Sequence, residues 1–313
     1  MNKIANRQVI CDTLMELAKD DKDIYVLTSD SRGSASMTNF ANEYPKQFVE
    51  VGIAEQNLVG IAAGLATTGK KCFAASPAWF LTMRRIEQGK VDVAYSNTNV
   101  KLIGISGGVS YGALGMSHHS LQDIAVMRAI PNMDIFLPAD RFETEKLVRE
   151  LVKYDKPAYI RIGRNPVGDV YESTDFEFEI GKANVMREGK DITIIATGET
   201  VKPAIEASDE LKELGIKCRV LNMHTIKPLD EEAIIKAAKE TGHIITVEEH
   251  SIYGGLGAAV SEVVVQNAPV PMKIVGIKDE AAITGTSKEI FNYYGLSKEN
   301  LVKLAKELIE KTR

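Results

Sequence analysis

The chain has 313 residues, of which 44% are hydrophobic and 26% charged, as expected for a folded soluble protein of about two domains. A net charge of -5 offers no basic field for nucleic acid, and three scattered cysteines suggest neither a disulfide framework nor a zinc site. The longest uncharged stretch is too rich in glycine to span a membrane. We therefore expect a cytoplasmic protein without nucleic-acid or membrane partners.

Helices and strands alternate along the first half of the chain. The apolar residues Ile10, Leu14, Leu17 and Ala18 have helical spacing and precede a short buried strand in DIYVLTSD. Further strands are predicted in KKCFAAS, VKLIGISGG, MDIFLPAD and PAYIRI. Helices are predicted between them, including LTMRRIEQGKVDVAYS, LQDIAVMRAI and RFETEKLVRELVKYD. This alternation predicts a mostly parallel sheet covered by helices on both faces.

The second half repeats the pattern after a break. The segment 163–183 mixes glycine, proline and acidic residues without a helical period, and we place a linker at 173–188 between domains of 1–172 and 189–313. Strands are predicted in DITIIATG, KCRVLNMHT, HIITVEE and MKIVGI, and the amphipathic helix SKENLVKLAKELIEKT follows them. The predicted fold class is α/β, with two domains that each have a mostly parallel sheet flanked by helices.

Polar or glycine-rich segments lie at the ends of predicted strands, where open α/β sheets bind ligands. TSDSRGSAS contains Asp30 and Ser34, and taken alone its composition is more typical of an ordinary solvated turn than of a binding site. SGGVSYGALGMSHHSLQD is a long glycine-rich loop with adjacent His118 and His119, which could be structural or functional.

Glu55 leads a helix that carries no other charge from Gln56 to Gly69 and whose alanines and glycines suit close packing. The acid is either an exposed first-turn residue favoured by the helix dipole or a buried acid with a chemical role. If buried, its carboxyl would be desolvated and held partly protonated, so it could share a proton with a ring nitrogen. Phe80, Met83 and Ile86 fall on one predicted helical face, a pattern more typical of core packing than of a ligand platform.

Five blocks of the sequence together resemble transketolase, in its pyrimidine-binding and C-terminal domains. The blocks are VGIAEQNLVGIAAGLA, GMSHHSLQDIAVMRAIPNMDIFLPAD, YIRIGRNP, VLNMHTIKPLDEEAI and VEEHSIYGGLGAAVSEVV. The GDG segment with which full-length members hold the phosphates of thiamine diphosphate and a divalent metal is absent from this sequence. The resemblance therefore implies the C-terminal subunit of a split transketolase with the thiamine-diphosphate-binding fold.

The resemblance also implies a reaction and an assembly. The reaction is the reversible transfer of a two-carbon ketol group from a ketose phosphate to an aldose phosphate, as in pentose phosphate metabolism. Thiamine diphosphate is the implied cofactor, and Mg²⁺ or another divalent cation would be bound mainly by a separate N-terminal subunit. The expected complex is an α₂β₂ heterotetramer, and this chain alone is expected to be inactive.

Residue roles follow from the same resemblance. Glu55 aligns with the acid that hydrogen-bonds the aminopyrimidine ring of the cofactor, and Asp30 with an acid that supports the cofactor pocket. Phe80, Met83 and Ile86 would form the wall beside the ring, although the family commonly has aromatic residues at all three places.

The substrate would be held by residues that align with the sugar-phosphate site of the family. Its members are Arg7, Ser34, His118 and Arg164, and His118 joins Glu55 as a catalytic residue. Leu114 and Ser106 replace an acid and a histidine of the family, and His119 has no matching role, so stereoselectivity stays open.

Two related enzymes and one non-enzymatic alternative compete with this interpretation. 1-Deoxyxylulose-5-phosphate synthase carries the same domains within one longer chain, whereas this chain starts at the pyrimidine domain. The β subunit of a 2-oxoacid dehydrogenase is a separate chain of this size, but it has no sugar phosphate to bind. A scaffold that had lost activity would be expected to lack Glu55, which is present. The phosphate set around Arg7 and Arg164 therefore favours a transketolase subunit.

Overall fold

The computed structural model describes residues 4–311, which form a seven-stranded and a five-stranded sheet. The strands are β1 (Ile24–Thr28), β2 (Phe48–Glu50), β3 (Lys71–Pro77), β4 (Val100–Ile105), β5 (Asp134–Phe136), β6 (Ala158–Arg161), β7 (Asn184–Arg187), β8 (Ile192–Ala196), β9 (Cys218–Asn222), β10 (Thr225–Lys227), β11 (Ile244–Ser251) and β12 (Met272–Ile277). The helices are α1 (Asn6–Ala18), α2 (Thr38–Glu43), α3 (Glu55–Ala66), α4 (Ala78–Met83), α5 (Ile86–Gln88), α6 (Asp123–Ala129), α7 (Arg141–Lys153), α8 (Val201–Glu213), α9 (Glu231–Thr241), α10 (Leu256–Asn267), α11 (Ser287–Tyr294) and α12 (Lys298–Glu310). None of these helices is long and apolar enough to cross a membrane.

The first sheet has the strand order β10-β5-β6-β4-β3-β1-β2, and its strands are parallel except for β10. Apolar side chains of α1 and α7 pack on one face, with Ile10, Leu14 and Leu151 fully buried. Residues of α3, α4 and α6 cover the other face. The predicted parallel sheet with helices on both faces is confirmed.

The second sheet has the order β12-β11-β8-β9-β7 and is parallel except for β7. Helices α8 and α12 pack on one face, and α9 and α10 cover the other. The apolar core under α9 and α10 is continuous with the core under α3 and α6 of the first sheet. The two α/β units are therefore joined by a shared core as well as by the chain.

Two short strands lie where the sequence did not predict them. Residues 184–187, inside the predicted linker 173–188, form β7 and pair antiparallel with β9. Residues 225–227, which begin at the last residue of the predicted strand KCRVLNMHT, form β10 and pair with β5 of the first sheet. The linker prediction is therefore corrected at its end, while the domain division itself stays a proposal.

The predicted helix LTMRRIEQGKVDVAYS is broken. Helix α4 ends at Met83, Arg85 leaves helical geometry with φ of -122° and ψ of 22°, and α5 continues into a π-helix at Gly89–Tyr95. Phe80 and Met83 therefore belong to a different helix from Ile86, and the single helical face predicted for them does not exist. Met83 and Ile86 are 38% and 43% exposed.

Helix α3 begins at Glu55, as the charge pattern predicted, and buries Leu58, Val59 and Ala62 against the first sheet. The close packing predicted for its glycines is not observed, because no atom lies within 4 Å of the position that a Cβ would take on Gly60 or Gly64. The small residues leave that side of the helix open.

Candidate active site

The sequence-predicted polar residues gather at one edge of the first sheet. The turn after β1, helix α4 after β3, the glycine-rich loop after β4 and the segment after β6 all leave from the carboxyl ends of parallel strands. Parallel strands bring these ends to the same edge, so residues distant in sequence become neighbours. Contacts between side chains then show which of them share a site.

Glu55 is a buried acid beside an open cleft. Its residue is only 5% exposed, although it is the first residue of α3. The cleft has a volume of about 650 Å³ and is lined by Ile53, Ala54, Glu55, Gln56, Asn57 and Arg84. A carboxyl group removed from bulk water but facing a cavity of this size can interact with a ligand through its own hydrogen bonds.

The Arg84 side chain is a partner of Glu55 that sequence reasoning missed. Its Nη1 donates hydrogen bonds to both carboxylate oxygens of Glu55, at 3.0 and 3.1 Å. Its guanidinium carbon also lies 4.2 Å from the centre of the Phe80 ring. The surroundings of Glu55 are therefore not wholly apolar, in contrast to the prediction, because they include the charged Arg84 side chain, which is 49% exposed.

The planar Arg84 guanidinium shows what the pair Glu55 and Phe80 can hold. A flat group stacked near an aromatic ring and donating N–H bonds to a carboxylate has the same recognition features as a protonated or amino-bearing nitrogen heterocycle. The two residues therefore fit a planar nitrogen ring, provided that Arg84 moves aside. The arginine at position i+4 from Phe80 was the signal in the sequence that could have shown this contact.

Three aromatic rings connect this cleft to the glycine-rich loop. The imidazole of His118 meets the ring of Phe80 edge-on with centroids 5.4 Å apart, and it meets Tyr111 at the same distance. His118 Nδ1 also lies 3.0 Å from the hydroxyl of Ser117. Tyr111 was not predicted, because tyrosine in a glycine-rich loop carries no specific signal.

Beyond Tyr111 the site becomes cationic. The guanidinium of Arg164 lies 5.1 Å from the Tyr111 ring centre, and Arg7 donates a 2.6 Å hydrogen bond to the Ser34 carbonyl. Burial lowers the pKa of Arg7, and the nearby positive charge of Arg164 lowers it further. Arg7 Nε and Arg164 Nη1 are buried without a hydrogen-bond partner among residues 4–311. Two close guanidinium groups with unused donors fit an anion.

Asp30 stands apart from this line of contacts. It is exposed in the turn after β1 with φ of 51°, and its backbone N–H donates a 2.7 Å hydrogen bond to the Glu50 carboxylate. Among residues 4–311, its side chain forms neither a hydrogen bond nor an ion pair with the cleft residues named above. Met83 and Ile86 lie on either side of the break between α4 and α5, and both are partly exposed.

The glycine-rich loop separates its two histidines. His119 is buried, its Nε2 lies 3.3 Å from the Gly112 carbonyl, and burial lowers its pKa. Ser106 is also buried, whereas Leu114 is exposed on the loop surface. Of the two histidines, only His118 contacts the aromatic residues beside the cleft.

Comparisons with known proteins cover both halves of the chain. Residues 2–168 match the family described as "Transketolase, pyrimidine binding domain", and residues 181–301 match "Transketolase, C-terminal domain". Among relatives, a subunit of the apulose-4-phosphate transketolase of Phocaeicola vulgatus is 58% identical over 310 residues, 99% of either chain. The 6-deoxy-6-sulfo-D-fructose transketolase subunit SqwH of a Clostridium species is 38% identical over 305 residues, 97% of this chain and 94% of the relative.

A solved structure has the same architecture. It is described as "Split gene transketolase, inactive beta4 tetramer" and superposes with a TM-score of 0.90 at 38% identity. The superposition covers 99% of this chain and 100% of the other. The likeness therefore extends over the whole described fold and is not confined to one domain.

Proposed function

The chain belongs to the transketolase family, and from this premise we propose that it supplies the proton-exchanging acid and the sugar-anion site of a two-chain transketolase. Its relatives of equal length are transketolase subunits, which confirms the resemblance seen in the five sequence blocks and favours it over the dehydrogenase and synthase alternatives. The proposed reaction moves a two-carbon ketol unit between a ketose phosphate and an aldose phosphate, as in pentose phosphate metabolism.

Thiamine diphosphate is the cofactor that the family implies, and it supplies a nucleophilic carbon and an electron sink when bound. In the proposal, Glu55 presents its carboxyl to a nitrogen of the cofactor ring and exchanges a proton with it. The burial of Glu55 at the edge of the cleft supports this role, because a water-exposed carboxylate would compete poorly for that bond. Phe80 flanks the ring, with Met83 and Ile86 at the rim and Asp30 supporting the pocket from outside.

The sugar phosphate is proposed to bind where Arg7 and Arg164 meet. Each arginine has a buried N–H donor without a partner, and the two positive charges repel each other. A bound phosphate would accept hydrogen bonds from these donors and offset the repulsion. His118 and the half-buried Ser34 are close to this pair, because Tyr111 lies between His118 and Arg164, and Arg7 donates to the Ser34 carbonyl. The names of two relatives refer to a sugar phosphate and a sulfo sugar, and both substrates are anionic.

An N-terminal transketolase subunit is the proposed partner. It would bind the cofactor phosphates and Mg²⁺ or another divalent cation, and two copies of each subunit would form an α₂β₂ heterotetramer. A neighbour with the same fold forms a β₄ tetramer that is described as inactive, which supports the need for a second kind of subunit. We place the complex in the cytoplasm, and the three free, buried cysteines are consistent with such a reducing compartment.

One observation carries the proposal: side-chain contacts run from Glu55 through Arg84, Phe80, His118 and Tyr111 to Arg164, whose positive charge acts on the nearby Arg7. Glu55 lies at one end of this line and the anion site at the other. This arrangement suits a sugar phosphate that is held by its phosphate group and reacts at the opposite end of the molecule. The test is a ketol-transfer assay with thiamine diphosphate and Mg²⁺, for this chain alone and with its partner subunit. We expect activity only from the complex, and full activity from this chain alone would refute the two-chain proposal.

The variant Glu55→Gln tests the proton exchange of Glu55 independently of the other residues of the site. Glutamine keeps the size of the side chain but cannot exchange the proton, so turnover of the complex should fall by about 10²–10⁴. Circular dichroism and gel filtration of the complex serve as controls for folding and assembly. Turnover near the wild-type value would remove Glu55 from the mechanism.

A further inference from the structure

A side chain of the second domain is bonded to the base of the loop that carries His118. The backbone N–H of Val109 donates a 2.7 Å hydrogen bond to Oε1 of Glu249, across 140 residues of sequence. Glu249 lies on β11, and only 3% of its surface is exposed. A charge-assisted bond to a backbone N–H in a buried setting is among the stronger hydrogen bonds of a protein.

Arg161 holds Glu249 in that position. Arg161 Nη2 donates a 2.6 Å hydrogen bond to the Glu249 carbonyl, and Nη1 lies 3.7 Å from Oε2 of its carboxylate. Arg161 is itself paired with Asp123 of α6, through Nε at 3.2 Å. All three side chains are buried, so none can turn to solvent without leaving another unpaired.

The loop has the sequence that this contact requires. A Cβ on Gly107 would collide with Arg161, and a Cβ on Gly108 would collide with both Arg161 and Glu249. Gly108 also has φ of +59°, which favours glycine. It forms a two-way backbone bridge with Ser120, at 3.1 and 2.8 Å, that closes the loop before and after His118.

The far side of the loop also contacts the second domain. A Cβ on Gly112 would collide with the carbonyl of Gly285, and one on Gly115 would lie 2.9 Å from Thr284 Cγ2. Both glycines have positive φ, at 27° and 69°. The loop is therefore fitted between the first sheet and the second domain along its length.

From this geometry we propose that Glu249 is a positioning residue for the substrate: it fixes the loop of residues 107–120 so that His118 and Tyr111 face the anion site. This inference rests on the proposed function. It assigns a task to the second domain, none of whose side chains belongs to the line of contacts from Glu55 to Arg7. The task depends on the acceptor oxygen of Glu249, since the donor is a backbone N–H.

The neighbouring residue Glu248 provides a matched control. It is equally buried on the same strand, but its carboxylate accepts bonds of 2.7 Å from the N–H groups of Leu256 and Gly257 at the start of α10. Loss of Glu248 should lower stability without reaching the loop. Glu249→Ala, Glu249→Gln and Glu248→Ala would therefore be compared, each in complex with the partner subunit.

We expect Glu249→Ala to raise KM for the phosphorylated ketose about tenfold, the equivalent of roughly 1.4 kcal/mol, with a smaller change in kcat. Glu249→Gln keeps an acceptor for Val109 and should stay within about threefold of wild type. Hydrogen exchange of residues 108–118, measured on the same complexes, should be faster in Glu249→Ala only. Glu248→Ala should lower Tm while KM and loop exchange stay at wild-type values.

Equal KM effects from Glu248→Ala and Glu249→Ala would overturn the inference, and so would wild-type loop exchange in Glu249→Ala. Should Glu249→Ala fail to fold, Glu249→Gln against Glu249→Leu supplies the same comparison of acceptor present and absent. A wild-type complex without ketol transfer would refute the proposed function instead. The exchange measurement would still decide whether Glu249 positions the loop.

Discussion

Arg84 and Glu55 form the contact that most affects how the cleft can be used. The guanidinium donates to both carboxylate oxygens and lies near the Phe80 ring, so it occupies the two features proposed to hold the cofactor ring. Any ring that binds there must first break this contact, and its apparent affinity falls by the cost of doing so. The exposed position of Arg84 allows such a movement, because nearly half of its side chain faces solvent.

We predict that Arg84→Met strengthens the binding of thiamine diphosphate to the complex. Hydrogen bonds to a charged group contribute about 1.5–3 kcal/mol. Hydration of the freed groups offsets part of the cost of breaking the contact between Arg84 and Glu55, so removing that contact should raise the affinity for the cofactor about tenfold. Titration calorimetry of the complex would measure it. Lys90→Met, an exposed charge on the neighbouring helical segment, is the matched control and should leave affinity unchanged. Weaker binding of the cofactor to Arg84→Met would show that Arg84 belongs to the holding site.

Single residues were predictable where the local pattern already contained the cause. An acid at the start of an uncharged helix predicted the first residue of α3 but left burial and exposure of Glu55 open, and the structure shows it buried. Arg84 was not predicted as its partner, because their contact depends on where α4 ends relative to α3. Glu249 was equally hidden, since its bond to Val109 spans two domains.

At the scale of elements, the break between α4 and α5 is organised around a buried cation. Arg85 is fully buried between the helices, its Nη2 contacts Met127 Sδ at 3.6 Å, and burial lowers its pKa to about 10. Gly89 lies beside it, and a Cβ on Gly89 would overlap Arg85 Nη1. The glycine therefore makes room for the arginine in a helical segment where glycine is otherwise unfavourable.

Two helical glycines should respond oppositely to alanine. Gly89→Ala forces Arg85 out of a packed site and should destabilise the chain by about 1–3 kcal/mol. Gly60→Ala adds a methyl group where no atom lies within 4 Å and should stabilise α3 by about 0.5–1 kcal/mol. Urea unfolding measures both. The double variant Arg85→Met with Gly89→Ala should recover most of the loss, and failure to recover it would show that another clash is responsible.

The strands show why a sequence predicts some elements and not others. Strands β4, β8 and β12 are short apolar runs that are each followed by a helical segment, so composition and order were sufficient to predict them. Strands β7 and β10 have four and three residues, and each pairs antiparallel with a strand that the local sequence does not specify. Their pairing therefore depends on how distant parts of the chain pack together.

At the scale of the molecule, each domain has a buried glutamate that accepts a hydrogen bond from the other domain. Glu249 of the second accepts from Val109 of the first, and Glu143 of α7 accepts a 2.8 Å hydrogen bond from Asn222 Nδ2 of β9. Glu143 is fully buried and also accepts a 2.6 Å bond from the Ala139 N–H. The domain interface thus combines a shared apolar core with buried hydrogen bonds between the domains. The strength of these bonds depends on the protonation of Glu143 and Glu249.

The contribution of these two acids to stability should therefore fall as pH rises towards neutrality. Burial raises the pKa of Glu143 from 4.5 to about 7, and it also raises the pKa of Glu249. A raised carboxyl pKa means that the folded state binds more protons than the unfolded state between the two values. Its contribution is complete below pH 4.5, is lost as pH rises from there to about 7, and does not change further at higher pH. For Glu143 alone the loss is on the order of 3 kcal/mol.

Glu143→Gln tests this linkage, because an uncharged side chain of the same size removes the titration. The free energy of unfolding, measured in urea at fixed protein concentration from pH 5 to pH 8, should decrease less steeply in the variant than in wild type. His224 opposes the trend between about pH 4 and 6.5, since burial lowers its pKa to about 4, but it does so equally in both proteins, so the two profiles should diverge mainly between pH 4.5 and about 7. Parallel pH profiles for the two proteins would mean that Glu143 stays charged in the folded interface, held by Asn222 and the Ala139 N–H.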